Sequence, residues 1–403
     1  MREQAGQKVR SSGRQRGGRR RGMSAAVAAA VAVGVMTAGV LTAPAASAAS
    51  AASAASAAAP VPGAGGVQQG LDALVRADGV PAALASVKGK YGPNRTYTAG
   101  VGDLATGSAV PRDGQVRIGS NTKAFTAVVV LQLVAEGKIR LDAPVEKYLP
   151  GLVRGDGIDG RNIKVRQILQ QTSGLPNYTK HDLQPRYYEP RELLDIALQD
   201  KADFEPGKDW AYSNTNYVLA GMIIEKVTRH LVATEIDRRI IRPLGLRHTY
   251  FPAPRDATIR EPHPKGYYQE APGKPLQDIT ELDPSWTWAA GQLISSNTDL
   301  NRFYTALLTP GRLLPAPQLA QMRTTVPADY FGKGARYGLG IVSRPLSCGG
   351  LYWGHGGSYP GYETRGGATD DGRAANVAVT TQPTDKAVMT HVDEVVDTAL
   401  CRR

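Results

Sequence analysis

Arg117-Ile118-Gly119-Ser120-Asn121-Thr122-Lys123-Ala124-Phe125-Thr126-Ala127-Val128-Val129-Val130-Leu131-Gln132-Leu133-Val134-Ala135-Glu136-Gly137 is the stretch on which the reading of this chain turns. Between Ser120 and Glu136 it has few polar positions, so it reads as a helix buried nearly all round. Gly119-Ser120-Asn121 reads as its N-terminal cap and Gly137 as its stop. Ser120 and Lys123 stand three residues apart, on one helical face, where an amine can reach a hydroxyl. A serine hydroxyl attacks only once a neighbour takes its proton. A helix start adds partial positive charge where an oxyanion develops. Ser-x-x-Lys alone arises by chance, and an N-cap serine beside a solvated lysine is the bland reading. A charge at the head of so apolar a helix argues against it.

Outward from this helix, the N-terminal side offers a helix at Leu71–Arg76 and two strands, Ala82–Lys88 and Thr96–Val101, parted by the turn signal Gly92-Pro93-Asn94. The middle is rich in proline and in helix-length segments, clearest at Asn216–Val227 and Thr234–Ile241. Strand signals return at Tyr337–Ser343, Leu351–His355, Tyr362–Thr364 and Asn376–Thr381. A last helix is expected over Ala387–Leu400, with Val388, Val392, Val395, Val396 and Ala399 at helical spacing. Early and late strands around a helical middle predict an α/β (α+β) fold: one antiparallel sheet made from both chain ends, flanked by helices, beside an all-helical insert. The expected domains are 70–140 with 285–403 for the sheet and 141–284 for the helices, with the active site between them.

Composition narrows the function. The chain has 403 residues, 42% of them hydrophobic, and a formal charge of +12. Eight Lys or Arg stand against one acid within residues 1–48, so seven of those twelve charges lie there. The remainder has no basic run able to track a phosphate backbone, which excludes nucleic acid. The basic start, the uncharged stretch Ala25–Ala43 and Ala46-Ser47-Ala48 make an export signal with cleavage near Ala48. A membrane anchor is the rival, but the Ala/Gly-rich stretch is weakly apolar and the cleavage pattern sits where it should. Arg19-Arg20-Arg21 fits a twin-arginine signal poorly. Residues 49–69 read as a flexible Ala/Ser/Pro/Gly leader. The expectation is a secreted monomer without a stable membrane anchor. In an exported protein, the only two cysteines, Cys348 and Cys401, read as a disulfide, with a pair of free buried thiols as the bland alternative.

Two further motifs carry chemistry. Tyr212-Ser213-Asn214 precedes a predicted helix, where a phenol can shuttle a proton and an amide can hold a substrate amide. An ordinary helix cap would look the same. His355-Gly356-Gly357-Ser358 follows the strand Leu351-Tyr352-Trp353, and its glycines let another backbone approach. There His355 can polarise the Tyr212 hydroxyl, and the N–H groups of Ser358 and Ser120 can form an oxyanion hole. The six histidines show no metal spacing, no cofactor is implied, and no Gly-x-Ser-x-Gly elbow exists.

Ser-x-x-Lys, Tyr-Ser-Asn and His-x-Gly in this order resemble the secreted bacterial D-alanyl-D-alanine carboxypeptidases, relatives of the class C β-lactamases. The likeness spans about residues 70–401. It includes Tyr148-Leu149-Pro150-Gly151-Leu152, Thr172-Ser173-Gly174-Leu175 and Gly291-Gln292-Leu293-Ile294-Ser295-Ser296. The resemblance implies Ser120 as nucleophile, Lys123 as its proton acceptor and Tyr212 as relay to the leaving group. Asn214 and His355 give support, Gly357 and Ser358 line the oxyanion side, and Trp286 lies near the cleft. It also implies one disulfide, Cys348 to Cys401. The partners it implies are peptide or ester substrates, peptidoglycan stem peptides among them, with β-lactams as covalent inhibitors. D-Aminopeptidase, D-endopeptidase, esterase, weak β-lactamase and a non-catalytic penicillin-binding protein are the rival activities. Two departures stand out. The third motif usually reads His-Thr-Gly-Thr, and Val342 occupies the place after Gly338-Leu339-Gly340 where the carboxypeptidases hold a terminal carboxylate with Arg. Arg344, two residues on, is the substitute anchor or else a solvated arginine.

Overall fold

The computed structural model describes residues 66–402, apart from Pro272 and Thr384. The export signal 1–48 and most of the leader lie outside the described residues. The first helix, α1 (Gly66–Arg76), takes residues 66–69, read above as leader, into its first turn.

A ten-stranded antiparallel sheet organises the rest. Its strands are β1 (Ala82–Lys88), β2 (Arg95–Asp103), β3 (Ser108–Ala109), β4 (Val326–Pro327), β5 (Arg336–Tyr337), β6 (Val342–Pro345), β7 (Leu351–Gly354), β8 (Gly357–Tyr359), β9 (Tyr362–Thr369) and β10 (Ala374–Val379). They lie in the order β4-β5-β6-β7-β9-β10-β1-β2-β3, with the short β8 also paired to β9. Both chain ends therefore meet in mid-sheet, where Ala83 faces Val379 across β1 and β10. The strand expected over Tyr337–Ser343 is instead a hairpin, β5 and β6. Gly338-Leu339-Gly340 turns the chain there, with Gly338 N–H donating to Ile341 O and Gly340 at φ +84°. No side chain but glycine adopts that φ at low cost.

Helices cover both faces. On one face α1 and the C-terminal α5 (Lys386–Cys401) bury Leu71, Leu74, Val392, Val396 and Leu400 against Val377 and Val379. Each such side chain contributes about 1.5–3 kcal/mol of hydrophobic stabilisation. On the other face lie α2 (Thr122–Ala135) and α4 (Asn297–Leu308), whose Phe125 and Phe303 rings stack with centroids 3.8 Å apart. Asn301 on α4 ties itself to both central strands through Ser86 O and Asn376. The middle of the chain supplies α3 (Thr215–Thr228) and shorter helices, with small two-residue hairpins besides. Its apolar residues join those of α2 and α4 in one core.

Ser120 is not the first residue of α2. It sits in a 3-10 turn, Gly119–Asn121, ahead of the helix, and no side chain caps α2. The Asn121 amide is spent elsewhere, donating to Ile118 O and Thr364 Oγ1.

Cys348 and Cys401 are bonded, closing the hairpin end of β6–β7 onto α5. Cross-linking residues 53 apart removes roughly 4 kcal/mol of chain entropy from the unfolded state. Replacing both cysteines by serine should lower Tm by several degrees in a melting experiment with the oxidised chain as control; an unchanged Tm would mean that the packing of α5 alone holds this corner.

Candidate active site

Three segments converge on Ser120. The 3-10 turn places its hydroxyl 3.0 Å from Lys123 Nζ. The loop before α3 places Asn214 Oδ1 2.7 Å from the same nitrogen, and the helical turn Trp288–Gly291 adds Ala290 O at 2.8 Å. Gln171, in a left-handed conformation at φ +66°, holds that loop: its Oε1 accepts from Ser213 N–H and Asn216 Nδ2, and its carbonyl accepts from Ala211 N–H. Asn177 Oδ1 accepts from the Asn214 N–H. The Asn214 side chain is thus fixed with its oxygen on Lys123 and its NH₂ directed away from it.

Lys123 is fully buried, and among the described residues no carboxylate pairs with it. Loss of solvent lowers its pKa well below the ordinary lysine value. The surroundings suit the neutral amine. It has two N–H bonds, for Asn214 Oδ1 and Ala290 O, and one lone pair, left facing the Ser120 hydroxyl. Tyr212 is shifted the other way. Burial first and the Tyr337 phenol second push its pKa well up, while a contact with the Ser120 hydroxyl opposes them. Its ring centre lies 4.8 Å from Lys123 Nζ. One group is set to accept a proton and its neighbour to keep one, on either side of one hydroxyl.

The third motif lies along the open edge of β8. Tyr359 and Tyr362 close the β8–β9 hairpin, so ladder alternation turns the N–H and C=O of Ser358 away from β9. They face Gly119, where an added Cβ would sit 2.6–3.0 Å from Ser358 O, C and N. The backbones bearing the Ser120 and Ser358 N–H groups are therefore in contact, as an oxyanion hole requires. Gly357 allows this approach, for a Cβ there would lie 1.9 Å from Ile118 O. Trp286 stands further out, its ring 5.7 Å from that of Tyr359.

His355 does not bond Tyr212 as expected; their ring centres are 6.3 Å apart. Its Nδ1 donates to Gly356 O at 2.5 Å, which leaves Nε2 bare to accept the Tyr337 hydroxyl proton at 3.1 Å. Burial above all holds its pKa down at about 3, so the imidazole is neutral at ordinary pH. Tyr337 was missed in the sequence because nothing in a tyrosine before Gly-Leu-Gly announces a partner eighteen residues away. The aromatic wall around Tyr212 was missed too. Tyr330 stacks on Tyr212 with ring centres 5.7 Å apart, and Trp210 and Phe331 lean against the same cluster. Val342 is buried among these rings. Arg344 is neither a substitute anchor nor solvated. It forms a two-pronged ion pair with Asp393 on α5, at 2.5 and 2.7 Å.

A family model described as Beta-lactamase matches residues 14–399. A D-stereospecific amidohydrolase from Streptomyces sp. superposes with a TM-score of 0.75 at 41% identity, covering 82% of this chain and 97% of that one. The D-amino acid amidase from Ochrobactrum anthropi SV3, in complex with L-phenylalanine amide, gives a TM-score of 0.73 at 28% identity, with coverage of 82% and 97%. Protein flp of Staphylococcus aureus is 28% identical over 251 residues, covering 60% of this chain. The chain spans about half the length of that curated relative, 49%.

The closeness of Gly357 to Ile118 gives a direct test. Gly357→Ala should part β8 from the Gly119 turn and slow acylation of Ser120 by a reactive ester roughly a hundredfold or more, the scale of a lost oxyanion donor. An alanine variant that acylates at the wild-type rate would mean that Ser358 N–H takes no part.

Proposed function

This chain belongs to the beta-lactamase family, and from that premise we propose that it is a serine hydrolase that cleaves amides, peptides and esters of D-amino acids through an acyl-enzyme on Ser120. The carrying observation is the buried, carboxylate-free Lys123 amine 3.0 Å from Ser120 Oγ. Lys123 takes the hydroxyl proton as Oγ attacks the carbonyl carbon. The oxyanion is held by the N–H groups of Ser120 and Ser358. Tyr212, kept protonated, gives its proton to the departing amine and recovers one through Lys123. Water then repeats the sequence on the acyl-enzyme. Asn214 NH₂ meets the substrate's amide oxygen, and Trp286 borders the acyl side. His355 acts through Tyr337, holding the strand edge and the aromatic wall in place.

The D-configured substrate class rests on likeness to the Streptomyces amidohydrolase. The second reading, D-alanyl-D-alanine carboxypeptidase, follows from the motif order, but the apolar surroundings of Val342 give it no anchor at the position where those enzymes carry Arg. β-Lactams are expected to acylate the same serine. Export by residues 1–48 belongs to the same proposal; N-terminal sequencing of the mature protein should begin near Ala49.

Two measurements test this function. Intact-mass analysis after benzylpenicillin should find one adduct, mapping to Ser120 and absent from Ser120→Ala. D-Phenylalanine amide should be hydrolysed and its L-enantiomer spared; equal turnover of both would overturn the stereochemical assignment. The pH dependence has a definite sign. Activity needs Lys123 without its proton, so kcat/KM should rise with pH along a limb set by the lowered lysine pKa, well under 10.5. His355, at about 3, adds no limb in the neutral range. Lys123→Arg, which cannot release its proton, should lose about 10²–10⁴ in rate; a variant with an unchanged profile would remove Lys123 from the mechanism.

A further inference from the structure

The acid that protonates a leaving group must touch it, so the leaving group departs on the Tyr212 side of Ser120. The open strand edge leads there, from Ser358 back through Gly357 and Gly356 to His355. Gly356 lies two residues, about 7 Å, from Ser358, which is roughly the reach of one leaving residue and its terminal carboxylate. At Gly356 the strand bears no side chain, and an arginine fills the gap. A Cβ on Gly356 would lie 2.6 Å from Arg365 Nη1 and 3.1 Å from Arg365 Cζ.

We propose that Arg365 is the residue that binds a carboxylate on the leaving-group side, the task left open at Val342. Three features support this. The guanidinium is held rigidly beside the strand edge: Nη1 pairs with the Glu363 carboxylate and donates to Thr364 O at 2.9 Å. Its other nitrogens are poorly used. Among the described residues Nη2 reaches only the Met389 thioether, at 3.9 Å, and Nε lies 3.7 Å from Asp393. A thioether is a weak acceptor, so Nη2 keeps donor capacity for an oxyanion. The side chain is 18% exposed, so it is not a freely solvated cation. Arg344 is removed from competition by its bond to Asp393. The missing threonine and the missing arginine of the resembled family thus belong together: Gly356 makes room for a cation that arrives from β9 instead of β6.

This assignment rests on the proposed acyl-enzyme reading, and the experiment separates the two. The full mature chain, its Arg365→Gln variant and its Arg365→Lys variant are compared on two D-phenylalanyl-D-alanine substrates, one with a free C-terminal carboxylate and one amidated. Benzylpenicillin and its methyl ester provide a second pair, read as acylation rates of Ser120. Arg365→Gln should lower kcat/KM for the free acid by about tenfold or more, the scale of a charge-assisted contact. It should leave the amidated peptide nearly unchanged, and Arg365→Lys should recover part of the loss. The penicillin should slow and its ester should not. Equal losses on acid and amide, or an unchanged ratio, would overturn the anchor and leave the acyl-enzyme reading standing. If wild type cleaves neither peptide yet penicillin still distinguishes the variants, the anchor stands and the peptide-substrate reading fails.

Discussion

A buried amine with no carboxylate beside it is the constraint around which the rest of this structure is arranged. Taking a charged ammonium fully out of water costs several kcal/mol even after relaxation. Lys123 therefore gives up its proton more readily than an ordinary lysine, and its neighbours match the neutral form: two oxygens for two N–H bonds, and a hydroxyl for the lone pair. The apolar stretch after Lys123 has the same cause. A polar α2 would admit water to the amine and restore its charge. The loop carrying Asn214 and Tyr212 is tied down by Gln171 and Asn177 for a related reason, since a drifting Asn214 would leave an N–H bond unsatisfied in the core.

Much of this was legible in the sequence. The buried helix was visible from its composition, and the sheet from strand signals at both ends, with β1 found at its observed limits. Ser120 and Lys123 were legible because their relation is local, three residues on one turn. What was not legible depends on long-range contact. The 3-10 turn ahead of α2 contains Asn121, whose amide bonds Thr364, far along the chain. The hairpin at Gly338–Ile341 interrupts a run of strand-forming residues that gave no sign of stopping. His355 lies beside Tyr212, with ring centres 6.3 Å apart, yet bonds Tyr337, because sequence order does not say which phenol lies nearer.

The aromatic wall repeats the lesson. Tyr212, Tyr330, Phe331 and Trp210 come from two segments, and only folding stacks Tyr330 on Tyr212. The effect on Tyr212 is electrostatic as well as steric. Rings exclude water and supply no cation, which keeps the phenol protonated as a donor. The same wall leaves Val342 in surroundings that would not tolerate a charge, so the departure from the family's arginine agrees with its environment.

The pairing of β1 with β10 also governs how the molecule comes into being. Ala82 and Thr380 bond each other across 298 residues of chain. The central strands cannot join until the chain has been synthesised past Thr380, and closing so long a loop makes folding slow. Until then the apolar α2 lacks the sheet that covers it and is open to wrong partners. The order of assembly thus runs against the order of synthesis: β1, the first strand of the sheet, must wait for β10, the last of the described strands.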